Sequence, residues 1–185
     1  MDEPKVLVLG WKLKNVMPAR RETHDDLWIY GLLQVYDPLN CINMPQSVIR
    51  KIVYAGYLRY EAPEACSVIP STIPTKPHIL VTAGGGGDLE ALNDWLLQAG
   101  ERVAEILHPA LIVFGPFMQP EFQGSFLDRV KKLDLVRAIT FNARIENLIE
   151  RGVGVVPMGG YNTFCEISSF EKPGIIIART QPRLE

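Results

Sequence analysis

The sequence predicts an α/β fold with an open, mostly parallel sheet. Three observations carry that prediction. From residue 78 onward, short apolar runs alternate with stretches of helical periodicity. The short runs are apolar almost throughout, as strands buried on both faces are. Glycine clusters follow two of them, at places where a strand must turn into a helix.

"HILVTA" (78–83) reads as the first of these strands. "LEALNDWLLQAGERVAEIL" (89–107) reads as a helix, with Leu92, Trp95, Leu96, Ala99, Val103 and Ile106 at helical spacing. "ALIVFG" (110–115) suits a buried parallel strand. "EFQGSFLDRVKKL" (121–133) is a helix with Phe122, Phe126, Val130 and Leu133 on one face. "LVRAITF" (135–141) is a strand, "RIENLIE" (144–150) a short helix and "VGVVPMGG" (153–160) a strand. "YNTFCEISSF" (161–170) is a helix and "GIIIAR" (174–179) a fifth strand. The first 77 residues are less regular. "KVLVLG" (5–10) and "DLWIYG" (26–31) read as strands ending in glycine, and "QSVIRKIVYAG" (46–56) as a short helix running into a third strand. "EAPEACSVIPSTIPTKP" (61–77) carries four prolines among small polar residues and reads as a linker. Three parts are therefore expected: 1–60, a linker at 61–77, and 78–185.

Composition excludes several classes. Apolar residues make up 47 % of the 185, enough for a sizeable core. A formal net charge of −2 makes no electrostatic case for nucleic acid or an anionic membrane. There is no apolar run of the roughly 18 residues that a membrane span needs. The acidic start "MDEPKVLVLG" does not read as a signal peptide. Cys41, Cys66 and Cys165 are odd in number and widely spaced, as reduced thiols in a cytoplasmic protein are. His24, His78 and His108 are also scattered, so no metal site is expected.

Two glycine turns carry the chemistry. Gly84, Gly85, Gly86 and Gly87 lie between a strand and a helix. Ligands of open α/β sheets bind at that edge. Glycine lets backbone amides approach a ligand closely, and a helix N-terminus offers free donors to phosphate oxygens. The loop matches neither the lysine-containing phosphate loop nor the dinucleotide glycine spacing. Asp88 serves equally well as an N-cap, and a plain tight turn remains open. The second turn, Gly159-Gly160, precedes a helix expected to begin near Asn162-Thr163. Thr163 and its neighbouring amides suit phosphate, and Glu166 suits a ribose diol, since an acceptor pair matches two hydroxyl donors. The competing reading makes Asn162 or Thr163 a helix cap and Glu166 a structural acid.

The segment "MGGYNTFCEISSFEKPGIIIARTQPRLE" resembles the C-terminal half of GT-B glycosyltransferases, nearest to bacterial enzymes related to the glycosyltransferase family 28 C-terminal domain. "VTAGGGGD" is similar to the glycine-rich diphosphate loop of that domain, and "LWIYG", "VYDPL" and "VYAGYL" resemble the end of the N-terminal domain and its crossover. The resemblance covers most of the chain. It implies a Rossmann-like parallel sheet, the C-terminal half of a GT-B fold, preceded by a remnant of the N-terminal domain. It implies an enzyme, a hexosyltransferase, that moves a hexosyl group from a nucleoside diphosphate sugar, with uridine favoured, to an acceptor hydroxyl. It implies no cofactor or metal, because helix dipoles and amides stabilise the leaving diphosphate.

By resemblance, Gly84–Gly87 lie near the diphosphate. Gly159, Gly160, Asn162 and Thr163 form the second loop, and Glu166 is the ribose acid. Phe141 and Asn142 follow a strand where the base stacks or meets backbone, and Arg179, Arg183 and Glu185 match a segment facing the sugar. The chain departs from relatives in matching only part of the first domain. No residue is assigned as the general base, and the acceptor is not specified. The expected location is cytoplasmic, including the inner face of the membrane, with a second copy or a partner chain meeting the first 77 residues. Three other readings stay open: a partner-dependent donor-binding subunit of a split glycosyltransferase, a nucleotide-sugar epimerase, and a generic nucleotide-binding module.

Overall fold

The computed structural model describes residues 4–14, 16, 20, 22–40, 42–61, 73–82, 89–102, 108–116, 118–140 and 144–178. The chain divides into two compact units. One is built on the residues up to Leu58, the other on Arg59–Gln181. Ile73, inside the proline-rich segment, is buried in the core of the second unit.

The first unit opens with helix α1 (Pro4–Leu13). This corrects the expectation of a strand at "KVLVLG". A short apolar run does not by itself distinguish helix from strand. Pro4 at the first helical position tips the balance, because its missing N–H would have no partner there anyway. The Arg20 guanidinium covers the Trp11 ring at 3.7 Å. Strand β1 (Leu27–Tyr30), helix α2 (Gln46–Ile49) and strand β2 (Ile52–Gly56) follow, as the sequence predicts. The two strands pair in parallel, Trp28 opposite Val53 and Ile29 opposite Tyr54. Gly31 and Gly56, at φ 122° and 73°, close the pair with a backbone hydrogen bond of 2.9 Å. Only glycine takes such φ values without strain. Asp37 Oδ1 accepts the Leu39 N–H at 2.9 Å and the Tyr54 hydroxyl at 2.8 Å. "VYDPL" is thereby tied to β2. Burial, then the bond to Asp37 and its charge, push the Tyr54 phenol up to about 12.

The second unit is an α/β layer structure. Strands β3 (His78–Thr82), β4 (Ala110–Val113), β5 (Val136–Ile139) and β6 (Gly152–Pro157) form a parallel sheet in the order β5-β4-β3-β6. Helices α3 (Leu89–Arg102), α4 (Pro120–Val130) and α5 (Ile145–Arg151) lie between them in sequence, and α6 (Tyr161–Ser169) follows β6. Side chains alternate across a strand, and the two sheet faces bury separate cores. Val81 and Ile112 pack with Leu92, Leu97, Phe126 and Val130 on one face. Leu80, Leu111, Val113 and Val155 pack with Leu148, Ile149 and Ile167 on the other. The Phe114 and Phe126 rings meet tilted, 6.1 Å between centroids.

Two details differ from the sequence reading. In α3, Leu92 and Leu96 face the core as expected, but Trp95 is 59 % exposed and Leu97 is fully buried with Asn93. The buried stripe is turned by about one residue, 100° on a helix. Leu97 wins because the stripe must meet β3 and β4 on one side and α4 on the other. Arg129 of α4 reaches Asp94 at 2.6 Å and Glu101 at 2.8 Å, which puts Asp94 and Glu101 on the flank facing α4. The second difference is "GIIIAR". It forms single parallel bridges, Gly174 with Val155 and Ile177 with Met158, instead of a continuous strand. Its described residues still run along β6: Ile175 N–H donates to Val155 O at 3.0 Å and Ile177 N–H to Pro157 O at 2.9 Å.

Candidate functional site

Renumbered within the second unit, the sheet reads third, second, first, fourth strand. The order reverses between β3 and β6, its first and fourth strands. At such a reversal the two following connections leave toward opposite faces and open a crevice beyond the strands' carboxyl ends. The register brings those ends together: Thr82 lies opposite Pro157, and Met158 N–H donates to Thr82 O at 3.0 Å. Gly84 begins two residues beyond Thr82, and Gly159 two beyond Pro157. The chain that leads to Gly84 and the Gly159-Gly160 turn therefore start from neighbouring strand ends at the reversal. Gly84, Gly85, Gly86 and Gly87 themselves lie outside the described residues, as do Phe141, Asn142, Arg179, Arg183 and Glu185.

The second turn is fully described. Gly159 is buried and its N–H donates to Ile177 O at 2.6 Å. That bond fastens the turn to the segment after α6. Gly160 stands at the N-cap of α6 with φ 172°, an extended conformation open to any residue. The helix begins at Tyr161, one or two residues before the expected Asn162-Thr163, and Phe164 N–H makes its first bond, 3.0 Å to Gly160 O. Neither Asn162 nor Thr163 is its cap. Glycine at the cap brings no side-chain acceptor to the first-turn amides, and that turn holds no acidic residue. The positive end of α6 is left uncompensated from within its own first turn. Asn162 is exposed there and Thr163 partly buried.

Glu166 lies five residues into α6, about 7.5 Å along the axis from Tyr161. It shares a helix face with Asn162 and Thr163, four and three residues back. Burial, and then the charge of Glu146, raise its carboxyl to about 7. Glu146 stands in the first turn of α5, which packs against α6. Its Oε2 is buried and has no hydrogen-bond partner among the described residues. Tyr60 completes the group: its N–H donates to Ser169 Oγ at 2.9 Å, and Ser169 Oγ donates to Cys165 O at 2.6 Å. Burial, then the charges of Glu166, Cys165 and Glu146, raise the Tyr60 phenol.

The structure thus brings Gly159, Gly160, Asn162, Thr163 and Glu166 together on one turn and helix. Sequence reasoning missed Glu146 and Tyr60. Glu146 was legible in principle, since an acid opening a helix after a parallel strand stands at the ligand-binding edge. Tyr60, 106 residues before Glu166 in the chain, carries no local signal. A shallow hollow lined by Leu127, Val130, Leu133 and Ala138 opens beside the amino end of β5, at the opposite edge of the sheet. No described helix is long and apolar enough to cross a membrane. No protein-family model matches the chain, and no curated protein matches it significantly.

Proposed function

We propose that residues 59–181 are the donor-binding part of a GT-B glycosyltransferase. The unit holds a nucleoside diphosphate sugar, uridine-linked by resemblance, for transfer of its hexosyl group to a hydroxyl. The observation that carries this reading is the strand reversal between β3 and β6, from whose carboxyl ends both glycine turns depart. The helix amides of α6, with no acid in their own turn, suit the diphosphate. Glu166, more than a turn further on, suits the ribose diol without crowding the phosphates. The protein's share of catalysis is then orientation and electrostatic stabilisation of the leaving diphosphate. Calorimetric titration with uridine, guanosine and thymidine diphosphates tests the reading. Micromolar binding of one of them, undiminished by a metal chelator, is the expected result. No binding of any, or a strict requirement for added magnesium or manganese, would overturn it.

One observation favours the variant in which this chain works with a partner. On β1 and β2, Trp28, Tyr30 and Val53 are 64 %, 51 % and 44 % exposed, so one face of the two-stranded sheet is apolar and open. Parallel strands are ordinarily covered on both faces. A mass measurement in solution separates a self-associating chain from one that awaits another protein.

A further inference from the structure

We propose that the outer edge of residues 173–177 is an interface between two copies of this chain. The edge pairs antiparallel with itself, and Ile175 meets Ile175 on a two-fold axis. The inference stands apart from the nucleotide reading.

The two edges of the sheet are finished differently. At the β5 edge, Leu135 O and Ile139 O turn inward and accept the N–H groups of Ala110 and Phe114 at 2.8 and 3.0 Å. Carbonyls alternate along a strand, so Val136 O points outward. The exposed Arg137 side chain covers it, donating to Val136 O and Asp134 O at 3.0 Å each. Charge laid over an edge guards it against pairing with another strand. The opposite edge is aliphatic. Along β6, Val155 N–H donates to Pro173 O at 3.0 Å, Ile175 N–H to Val155 O at 3.0 Å, and Ile177 N–H to Pro157 O at 2.9 Å. Residues 173, 175 and 177 thus turn their backbone groups to β6, and Gly174 and Ile176 turn theirs outward. Ile175 is 68 % exposed and Ile176 45 %, so this edge lies in water with an isoleucine on each of its faces.

A second copy is singled out because this edge is its own complement. Antiparallel pairing centred on Ile175 sets Gly174 opposite the second copy's Ile176, and Ile176 opposite its Gly174. These are the residues whose N–H and C=O groups face outward, so the two pairs exchange four hydrogen bonds. Pro173 falls opposite Ile177, a position that exchanges none, so its missing N–H is not needed there. Ile175 falls opposite Ile175 at the closer spacing, about 4.5 Å between Cα atoms, where side chains touch most. Gly174 faces α6: a β-carbon there would lie 3.4 Å from Ile167 Cγ2. Ile176 shares that face and reaches over the second copy's Gly174, which has no side chain to resist it. A formal net charge of −2 opposes association little. The interface is small, so the dimer is weak, with a dissociation constant on the order of tens of micromolar. The contact is isologous and closes at two copies.

The test is sedimentation velocity of the full chain from about 5 to about 300 µM, a range that brackets the expected constant. A reversible monomer–dimer equilibrium is expected. Ile175→Lys, at a position already in water, should weaken it at least tenfold. Trp28→Lys, on the open face of β1 and β2, should leave it unchanged. A chain that stays monomeric throughout overturns the proposal. So does a dimer that survives Ile175→Lys, or one that Trp28→Lys abolishes. Cysteine cross-linking reads the register. With Cys41 and Cys66 replaced by serine and the buried Cys165 kept, Ile175→Cys is expected to give a disulfide-linked dimer under an added oxidant. Cα atoms about 4.5 Å apart lie within disulfide range. In Ile176→Cys the two thiols stand diagonally, about 7–8 Å apart at the backbone, and should link far less. Equal linking at the two positions, or none at residue 175, overturns the pairing. Should Ile175→Lys not fold, the cross-linking pattern is decisive.

Discussion

Glu166 is where single-residue physics says most. As a ribose acceptor it makes hydrogen bonds to a charged group, each contributing about 1.5–3 kcal/mol. Glu166→Ala is expected to weaken a ribonucleoside diphosphate by roughly ten- to a hundredfold. The 2′,3′-dideoxy analogue should lose far less, because its hydroxyls are already gone, and equal losses in calorimetry would remove Glu166 from the site. The same residue has a signature in stability. Its folded carboxyl is raised to about 7, so the folded state binds more protons than the unfolded one between the ordinary glutamate value and neutrality. The stability it contributes is complete below about pH 4.5 and is lost as pH rises through 7. Glu166→Gln removes that loss. Chemical denaturation should find the variant about 1–2 kcal/mol more stable than wild type at pH 8, after discounting for partial exposure, and no more stable at pH 4. Gly160 tests the turn itself. Its extended φ admits any residue, so Gly160→Val should fold normally. A β-carbon at the cap obstructs approach to the α6 amides, and affinity for uridine diphosphate should fall at least tenfold, about 1.4 kcal/mol.

Among the elements, α6 and the α3–α4 pair reveal their design through how they end and how they are tied. After α6 the chain turns at Glu171, with φ 52°, before Pro173 stops any further helix. Glu171 N–H and Lys172 N–H return to Ser168 O and Ile167 O at 3.2 and 3.3 Å. Such left-handed helix ends prefer glycine. Glu171→Gly should therefore raise stability by about 0.5–1 kcal/mol in a denaturant titration, whereas a loss would mean that the side chain has a role of its own. Arg129 joins α4 to α3 by two ion pairs, one to Asp94 and a two-pronged one to Glu101. The geometry is good but the site is partly wet, so Arg129→Met should cost about 0.5–1.5 kcal/mol and less in high salt. These ties fix which side of α3 turns inward. Apolar spacing permits Trp95 or Leu97 as the inward position, and the flank occupied by Arg129 selects Leu97.

At the scale of the whole molecule, the described candidate site belongs to one unit. Gly159, Gly160, Thr163, Glu166, Glu146 and Tyr60 all fall within residues 59–181. A fragment of those residues should bind uridine diphosphate within about threefold of the full chain, a difference under roughly 0.7 kcal/mol. Loss of binding in a folded fragment would assign part of the site to residues 1–58 or 182–185. The first unit has a different character. Its two-stranded sheet leaves Trp28, Tyr30 and Val53 in water, and a sheet of that size is marginal without cover.

The sequence by itself determined the α/β class, nearly every described strand and helix from residue 78 onward, and the Gly159-Gly160 turn. Those features are written in local periodicity and in glycine's freedom, which need no knowledge of distant residues. It also placed Asn162, Thr163 and Glu166 at the start of one helix, because residues three and four apart share a face. Tertiary structure alone decided the rest. It left "GIIIAR" as isolated bridges along β6. It set the order β5-β4-β3-β6 and so put the two glycine turns at neighbouring strand ends. It also gathered Tyr60 and Glu146 around Glu166, because burial and like-charge repulsion depend on distance in space, which no spacing along the chain encodes.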